Sequence, residues 1–231
     1  MRVGVLTPMA EELEAVCRVF PNCEKKEKNG FVYYETRLQT NEVIVFQCGV
    51  GKVNAAVAVS ILKYEFQVDI VINSGCAGGA LPEQKVLDIV IGTELVYTDV
   101  DITPLGYKYG QICDEPMYWK TDDKLMAVAR DATKDVSNVC YGIIGTSDAF
   151  CTKPKIEEMQ SKFERKVACT EMEGCGVAHA CTKLGIKFLV IRSLSDVPSA
   201  NAENHIEYRV FVIQAVENIA KVLFNIISKL N

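Results

Sequence analysis

KVACTEMEGCGVAHACTKLGIKFLVIRSLSD, Lys166–Asp196, contains a short apolar run, a helical stretch and a second apolar run in quick succession. Val167–Cys169 reads as a strand, Glu173 to Leu184 as a helix, and Lys187–Leu194 as a buried strand. Strand, helix and strand in so short a span form the repeating unit of an α/β sheet. Glu171 and Glu173 stand where the short strand meets the helix, Arg192 follows the run FLVI, and Asp196 closes the second strand. Strands in such sheets are covered on both faces, so these charges do not belong to a solvated surface. They form either a structural Glu–Arg pair or a site with an acid, a base and a hydroxyl clamp.

The same alternation extends outward in both directions. Arg2–Thr7 reads as a buried strand, followed by a helix from Met9 to Phe20. Phe31–Leu38 and Val43–Cys48 read as a strand pair turning at Asn41-Glu42. A helix over Lys52–Phe66 and a strand at Asp69–Ser74 follow. Asp88–Ile102 is a long β-branched stretch expected to bend near Gly92 or Glu94, and Pro104 to Trp119 is a long loop. Loops of that length in compact domains tend to be functional. Helices at Asp122–Val136 and Lys155–Phe163 flank a strand at Val139–Thr146, and a closing helix runs from about Ala202 to Leu230. With no linker or repeat in this pattern, one α/β domain spanning 1–231 is expected, its mixed sheet carrying helices on both faces.

Composition removes several functional classes. The formal net charge is −5, and the basic residues do not cluster beyond Lys25-Lys26 and Lys28, which argues against nucleic acid as a partner. No signal peptide is read at the N-terminus, and no segment reads as apolar for the roughly 18–20 residues that span a bilayer. A cytosolic protein without a membrane partner is expected. The ten cysteines are scattered, none in a CxxC pair, and with two histidines they offer poor zinc spacing. They are expected to be free thiols in a reducing compartment, with no metal site.

In sheets of this type ligands bind beyond the carboxyl ends of strands, which directs attention to Thr7–Glu12, Ser74–Gly79, Ser147–Cys151 and Ser193–Asp196. In TPMAEELE, Glu11, Glu12 and Glu14 either complement a helix dipole or supply a general base. The glycines of NSGCAGGA, Asn73 to Ala80, let backbone approach a ligand closely, and Gly49–Lys52 is a second glycine turn. Neither is a P-loop. Phe150, in GTSDAFCTKP, either stacks on a planar ring or plugs the core.

Taken together in order, MAEELE, the GVGK turn, VINSGCAGG with KVLDIVIGTE, DVDITPLGYKYGQ, SDAF, TEMEG and VIRSLSD carry a resemblance to a known family. Over nearly its whole length it resembles the 5′-methylthioadenosine/S-adenosylhomocysteine nucleosidases of the nucleoside phosphorylase superfamily. The resemblance implies a three-layer α/β/α fold with a central mixed sheet, a homodimer with its site near the interface, and no cofactor. It implies hydrolysis of the N-glycosidic bond of an adenine thionucleoside, with 5′-deoxyadenosine a further possible substrate.

It also implies roles at matching positions. Asp196 is the acid that protonates adenine N7, with Ser195 placing it, and Glu12 activates water. Glu173 holds the ribose hydroxyls, with Met172 below the sugar. Thr170, Glu171 and Arg192 belong to the same group, Arg192 supporting carboxylate and water. Phe150 stacks on adenine while Cys151 backbone groups bond its edge. Cys76, Ala77 and Gly78 line the base and ribose region, and Met9, Val50 and Tyr208 form the alkylthio pocket. Ile102, Leu105 and Tyr107 reach in from the partner subunit. Cys76, Cys151, Leu105 and Pro198 depart from the family's usual residues.

The residue types suit that chemistry. An oxocarbenium-like transition state needs its leaving purine protonated, and an Asp in a dry pocket can keep its proton near neutrality. A nearby carboxylate makes water a competent nucleophile. A phosphate-dependent phosphorylase is the nearest alternative. However, phosphate recognition uses arginine clusters, this chain has seven arginines in all, and Asn73 stands where such phosphorylases tend to carry Arg. A non-catalytic purine-binding protein would be expected to lose Glu12 or Asp196. Hydrolases of aminodeoxyfutalosine or AMP remain open alternatives, although no cationic pocket for the AMP phosphate is evident.

Overall fold

The computed structural model describes residues 1–197 and 204–230. Pro198 and the expected helix start at Ala202 lie outside them. The strands are β1 (Arg2–Thr7), β2 (Glu24–Lys28), β3 (Phe31–Leu38), β4 (Asn41–Gln47), β5 (Ile70–Gly79), β6 (Ile89–Tyr97), β7 (Trp119–Lys120), β8 (Val139–Thr146), β9 (Val167–Glu171) and β10 (Lys187–Asp196). The helices are α1 (Ala10–Val19), α2 (Lys52–Tyr64), α3 (Asp123–Ala132), α4 (Lys153–Lys162), α5 (Gly174–Lys183) and α6 (Asn204–Ser228).

The strands form one mixed sheet in the order β10-β6-β8-β9-β5-β1-β4-β3-β2, with β7 paired to β6. β10 pairs β5 in parallel and β6 antiparallel, so β5, β10, β6, β8 and β9 close into a ring. The β1-β4-β3-β2 wing extends from the ring as an open sheet, and the short β7 lies beside β6 outside it.

Strand side chains alternate between two apolar layers. Leu6, Ile44, Phe46, Val71, Phe188 and Val190 pack with α2 and α5, while Val3, Val5, Val43, Val45, Ile70, Ile72, Leu189 and Ile191 pack with α1, α3 and α6. This two-sided burial explains why β1, β5 and β10 read as continuous apolar runs instead of alternating ones.

Several expectations are corrected. The β3–β4 hairpin turns at Gln39-Thr40, Gln39 having a φ of 56°, and Asn41 opens β4. Asn41 is buried because its amide donates to the Leu230 carbonyl at 2.9 Å, holding the end of the closing helix. β2, EKKEK, is a fully exposed edge strand, and its run of charges carries no apolar periodicity to reveal it. The segment Ser74–Gly79 does not lie beyond a strand end. It is the second half of β5, with Gly75 opposite Arg192 on one side and Gly78 opposite Thr170 on the other.

α6 also corrects the reading of apolar segments, since His205–Ser228 is long and apolar enough to cross a membrane by length and composition. Its apolar character has a core origin: Ala215, Val216, Ile219, Ala220, Leu223, Ile226 and Ile227 are buried against the sheet. Exposed Ile206, Val210 and Ile213 raise its apolar content further. The bend expected in β6 is a register shift against β8 between Gly92 and Glu94.

Candidate active site

One pocket forms at the carboxyl ends of β1, β5, β9 and β10, and it begins with Glu12. Three carboxylates cluster at the start of α1, and folding separates them: Glu11 and Glu14 are exposed, while Glu12 is 3% exposed. One of its oxygens accepts the Met9 N–H at 2.8 Å and so caps the helix, while the other accepts the Cys76 N–H at 3.0 Å. The helix-start and general-base readings of this residue are therefore compatible. Burial pushes the Glu12 carboxyl up, and the Cys76 and Met9 amides and the Arg192 charge oppose that shift.

Gly75 makes this placement possible. A Cβ there would lie 2.6 Å from the outer Glu12 oxygen. Gly78 serves Asp196 similarly, with 3.1 Å between a would-be Cβ and an Asp196 carboxyl oxygen. Asp196 is buried at the end of β10, where the register against β5 shifts between Leu194 and Asp196. Bulges of this kind re-aim side chains at strand ends. The Ser195 hydroxyl lies 2.8 Å from an Asp196 carboxyl oxygen and 3.3 Å from the Ala77 carbonyl.

The charges of TEMEG and RSLSD meet below the pocket. Arg192, fully buried, donates to the Asn73 carbonyl at 3.2 Å, the Asn73 amide oxygen at 2.5 Å, and the Glu171 carboxylate. Glu171 also accepts the Glu173 and Gly174 N–H groups at 3.0 and 2.6 Å, and the Thr146 hydroxyl. It is thereby fixed at the N-terminus of α5, where the helix dipole favours an anion. Burial works against the Arg192 charge, but the nearby Glu171, Glu173 and Glu12 carboxylates raise its pKa overall.

Glu173 is held differently. It accepts the Gly51 N–H at 3.0 Å and stands 3.7 Å from Arg192. Gly51 has a φ of 102°, a conformation that favours glycine, and the Lys52 N–H that follows it bonds Asp148 at 3.0 Å. Burial, then the Glu171 charge, push the Glu173 carboxyl up to about 8. The GVGK and SDAF turns are joined by Lys52, whose ammonium lies 2.6 Å from Asp99 and 3.4 Å from Asp148.

Met9, Val50, Cys76, Ala77, Gly78, Phe150, Cys151, Thr170, Glu171, Met172, Glu173, Ser195 and Tyr208 line this pocket with Glu12 and Asp196. The Phe150 ring meets Tyr208 edge-on at 6.0 Å between centroids, and the Tyr208 hydroxyl donates to the Met9 sulfur at 3.3 Å. Phe150 is 41% exposed, so it does not plug the core.

Arg192 lies behind the lining, bonded to Glu171. Ile102, Leu105 and Tyr107 do not line it: they belong to the loop after β6, where Leu105 is 72% exposed and Tyr107 donates to Asp114 at 2.9 Å. The sequence reading missed Pro8 and Ala149 in the lining, and Thr146 in the Glu171 network. Pro8 and Ala149 flank singled-out positions, whereas nothing local marks Thr146. Among the described residues no group of three or more His, Cys, Asp or Glu side chains could hold a metal ion.

Fold and pocket together define a mixed-sheet α/β protein with buried carboxylates at its strand ends, and comparison with known proteins assigns its class. Residues 2–228 match the model of the Phosphorylase superfamily. A 5′-methylthioadenosine/S-adenosylhomocysteine nucleosidase from Geobacillus sp. (strain WCH70) is 35% identical, over 100% of this chain and 99% of the relative. The S. pneumoniae nucleosidase of the same name, solved with the transition-state inhibitor MT-ImmA, is 35% identical with a TM-score of 0.91 and complete coverage of both chains. That from Colwellia psychrerythraea 34H, solved with adenine, is 33% identical with a TM-score of 0.91, covering 100% of this chain and 96% of its own. The chain belongs to the phosphorylase superfamily and, within it, to the 5′-methylthioadenosine/S-adenosylhomocysteine nucleosidase family.

Proposed function

We propose that this chain hydrolyses the N-glycosidic bond of 5′-methylthioadenosine and S-adenosylhomocysteine, releasing adenine and the thioribose. The observation that carries this reading is the pair of buried carboxylates, Glu12 and Asp196, bordering one pocket from different elements. Glu12 takes a proton from water, whose oxygen bonds to the anomeric carbon as the carbon–nitrogen bond breaks. Asp196, positioned by Ser195, delivers a proton to adenine N7, so the purine leaves neutral. Glu173 accepts from the ribose hydroxyls, Phe150 stacks on the base, and Met9 and Tyr208 enclose the alkylthio group.

Water is favoured over phosphate as nucleophile. Arg192 is committed to Asn73 and Glu171, and an ionised Glu12, the form that takes a proton from water, repels a dianion.

The proposed unit is a homodimer of single-domain chains in the cytosol, with Ile102, Leu105 and Tyr107 of each copy reaching the other's alkylthio pocket. Exposed Leu105 and, on α2, exposed Val53 and Val57 support this arrangement.

The deciding experiment gives purified protein methylthioadenosine in phosphate-free buffer and then adds phosphate. Release of adenine and free methylthioribose without phosphate is expected. Turnover that requires phosphate and yields a sugar 1-phosphate would make the chain a phosphorylase.

A further inference from the structure

The cysteines fall into unlike groups. Cys48, Cys76, Cys140, Cys169, Cys175 and Cys181 are packed into or against the core, and burial pushes each thiol up. Cys113 is exposed on the long loop. Cys17 and Cys23 also pack, half-buried, against the core, and they are set apart by their sulfurs lying 3.0 Å from each other. Cys17 lies in the last turns of α1, and Cys23 immediately precedes β2. The five residues between them fold the chain back, with Asn22 at a φ of 50°. A disulfide has its sulfurs at about 2.05 Å, so closing this pair needs an approach of about 1 Å.

We propose that Cys17 and Cys23 are a thiol pair that a peroxide converts to a reversible intramolecular disulfide. The contact between the two sulfurs lowers the Cys23 pKa and raises that of Cys17. Cys23 is therefore the attacking thiolate. It displaces one oxygen of hydrogen peroxide as water after protonation and becomes a sulfenic acid. Cys17 then attacks that sulfur, the S–S bond forms, and the second oxygen leaves as water. The two thiols lose two electrons and two protons, and one peroxide becomes two waters. The bond would tie the end of α1 to the edge of the β-wing.

The test treats the folded full-length protein with hydrogen peroxide, alkylates remaining thiols with N-ethylmaleimide, and maps tryptic peptides. Cleavage after Arg18 separates the two cysteines, so a disulfide appears as peptides Val3–Arg18 and Val19–Lys25 joined. Dithiothreitol should separate them again. With the alkylation carried out in denaturant so that buried thiols also react, Cys17 and Cys23 should be lost together from the ten alkylatable thiols, and Cys23→Ser should abolish the joined species and leave Cys17 alkylatable. If Cys17 and Cys23 both remain alkylatable at a dose that modifies exposed Cys113, the proposal fails. The joined peptides decide the matter in the unmutated chain even if Cys23→Ser does not fold.

Discussion

The guanidinium of Arg192 is bonded to the carboxylate of Glu171 with neither side chain appreciably exposed, and it stands 3.7 Å from Glu173. One buried cation thus serves two carboxylates with different duties. Glu171 has its acceptors taken by Thr146, Arg192 and the amides opening α5, whereas Glu173 is held by a single amide. Glu171→Gln should therefore act mainly on stability. Breaking a buried pair costs about 3–5 kcal/mol, and each kcal/mol lowers Tm by roughly 2–4 °C in a chain of this size. Thermal unfolding checks this, and an unchanged Tm would show that the pair holds nothing together.

Glu173 gives a prediction in pH. Its carboxyl is pushed up to about 8 from 4.5, first by burial and then by Glu171. Between those values the folded chain keeps a proton that the unfolded chain has released. This group's contribution to stability therefore falls as pH rises, by at most about 1.4 kcal/mol per unit, and levels off once the folded carboxyl ionises. Glu173→Gln cannot titrate. Its Tm should gain on that of the unmutated chain from pH 5 to 8 and keep a constant offset above. A difference flat across that range would remove the raised pKa.

The two proposed chemical groups are tested by near-isosteric changes. Glu12→Gln and Asp196→Asn should each lower turnover roughly 10²–10⁴-fold while binding an adenine nucleoside near normally, as measured by calorimetry. An unimpaired Glu12→Gln enzyme would take the water-activating role from Glu12. Retained turnover of adenine substrates in Asp196→Asn would do the same for N7 protonation.

Phe150 should separate binding from stability. At 41% exposure its loss costs the fold little, so Phe150→Ala should unfold within a degree or two of the parent. Base–aromatic stacking is worth about 1–3 kcal/mol, which converts to a KM roughly 5- to 150-fold higher. If Phe150→Ala keeps the parental KM, the ring does not stack on the base.

Much of this was legible in the sequence, and what was not has a common cause. Apolar runs in β1, β5, β8 and β10 marked buried strands because burial on both faces leaves a local signature. The clustering of Glu171, Glu173, Arg192 and Asp196 was readable because charge at the ends of such runs has few places to go. Closure of β5, β10, β6, β8 and β9 into a ring left no trace, since pairing between β10 and β6 joins residues a hundred positions apart. Thr146 was invisible for the same reason: only the fold brings its hydroxyl to Glu171. β2 was missed because an exposed edge strand of charges looks like a loop.

The glycines of β5 were noticed, but their purpose depends on contacts across the fold. They were read as exposing backbone to a ligand, yet Gly75 also makes room for Glu12. A Cβ there would lie 2.6 Å from the Glu12 oxygen that accepts the Cys76 N–H, closer than carbon and oxygen can approach unbonded. Gly75 is not at positive φ, so alanine meets no backbone strain, and the carboxylate must move instead. Moving it breaks the Cys76 hydrogen bond and shifts the proposed base from its water, and misplacement near 1 Å costs about 10²-fold in rate. Gly75→Ala should thus lose turnover toward the level of Glu12→Gln while still binding adenine. Gly78→Ala, with 3.1 Å to Asp196, should be milder. Steady-state rates for the three variants check the order, and a Gly75→Ala enzyme with parental kcat would mean that Glu12 need not sit where the fold holds it.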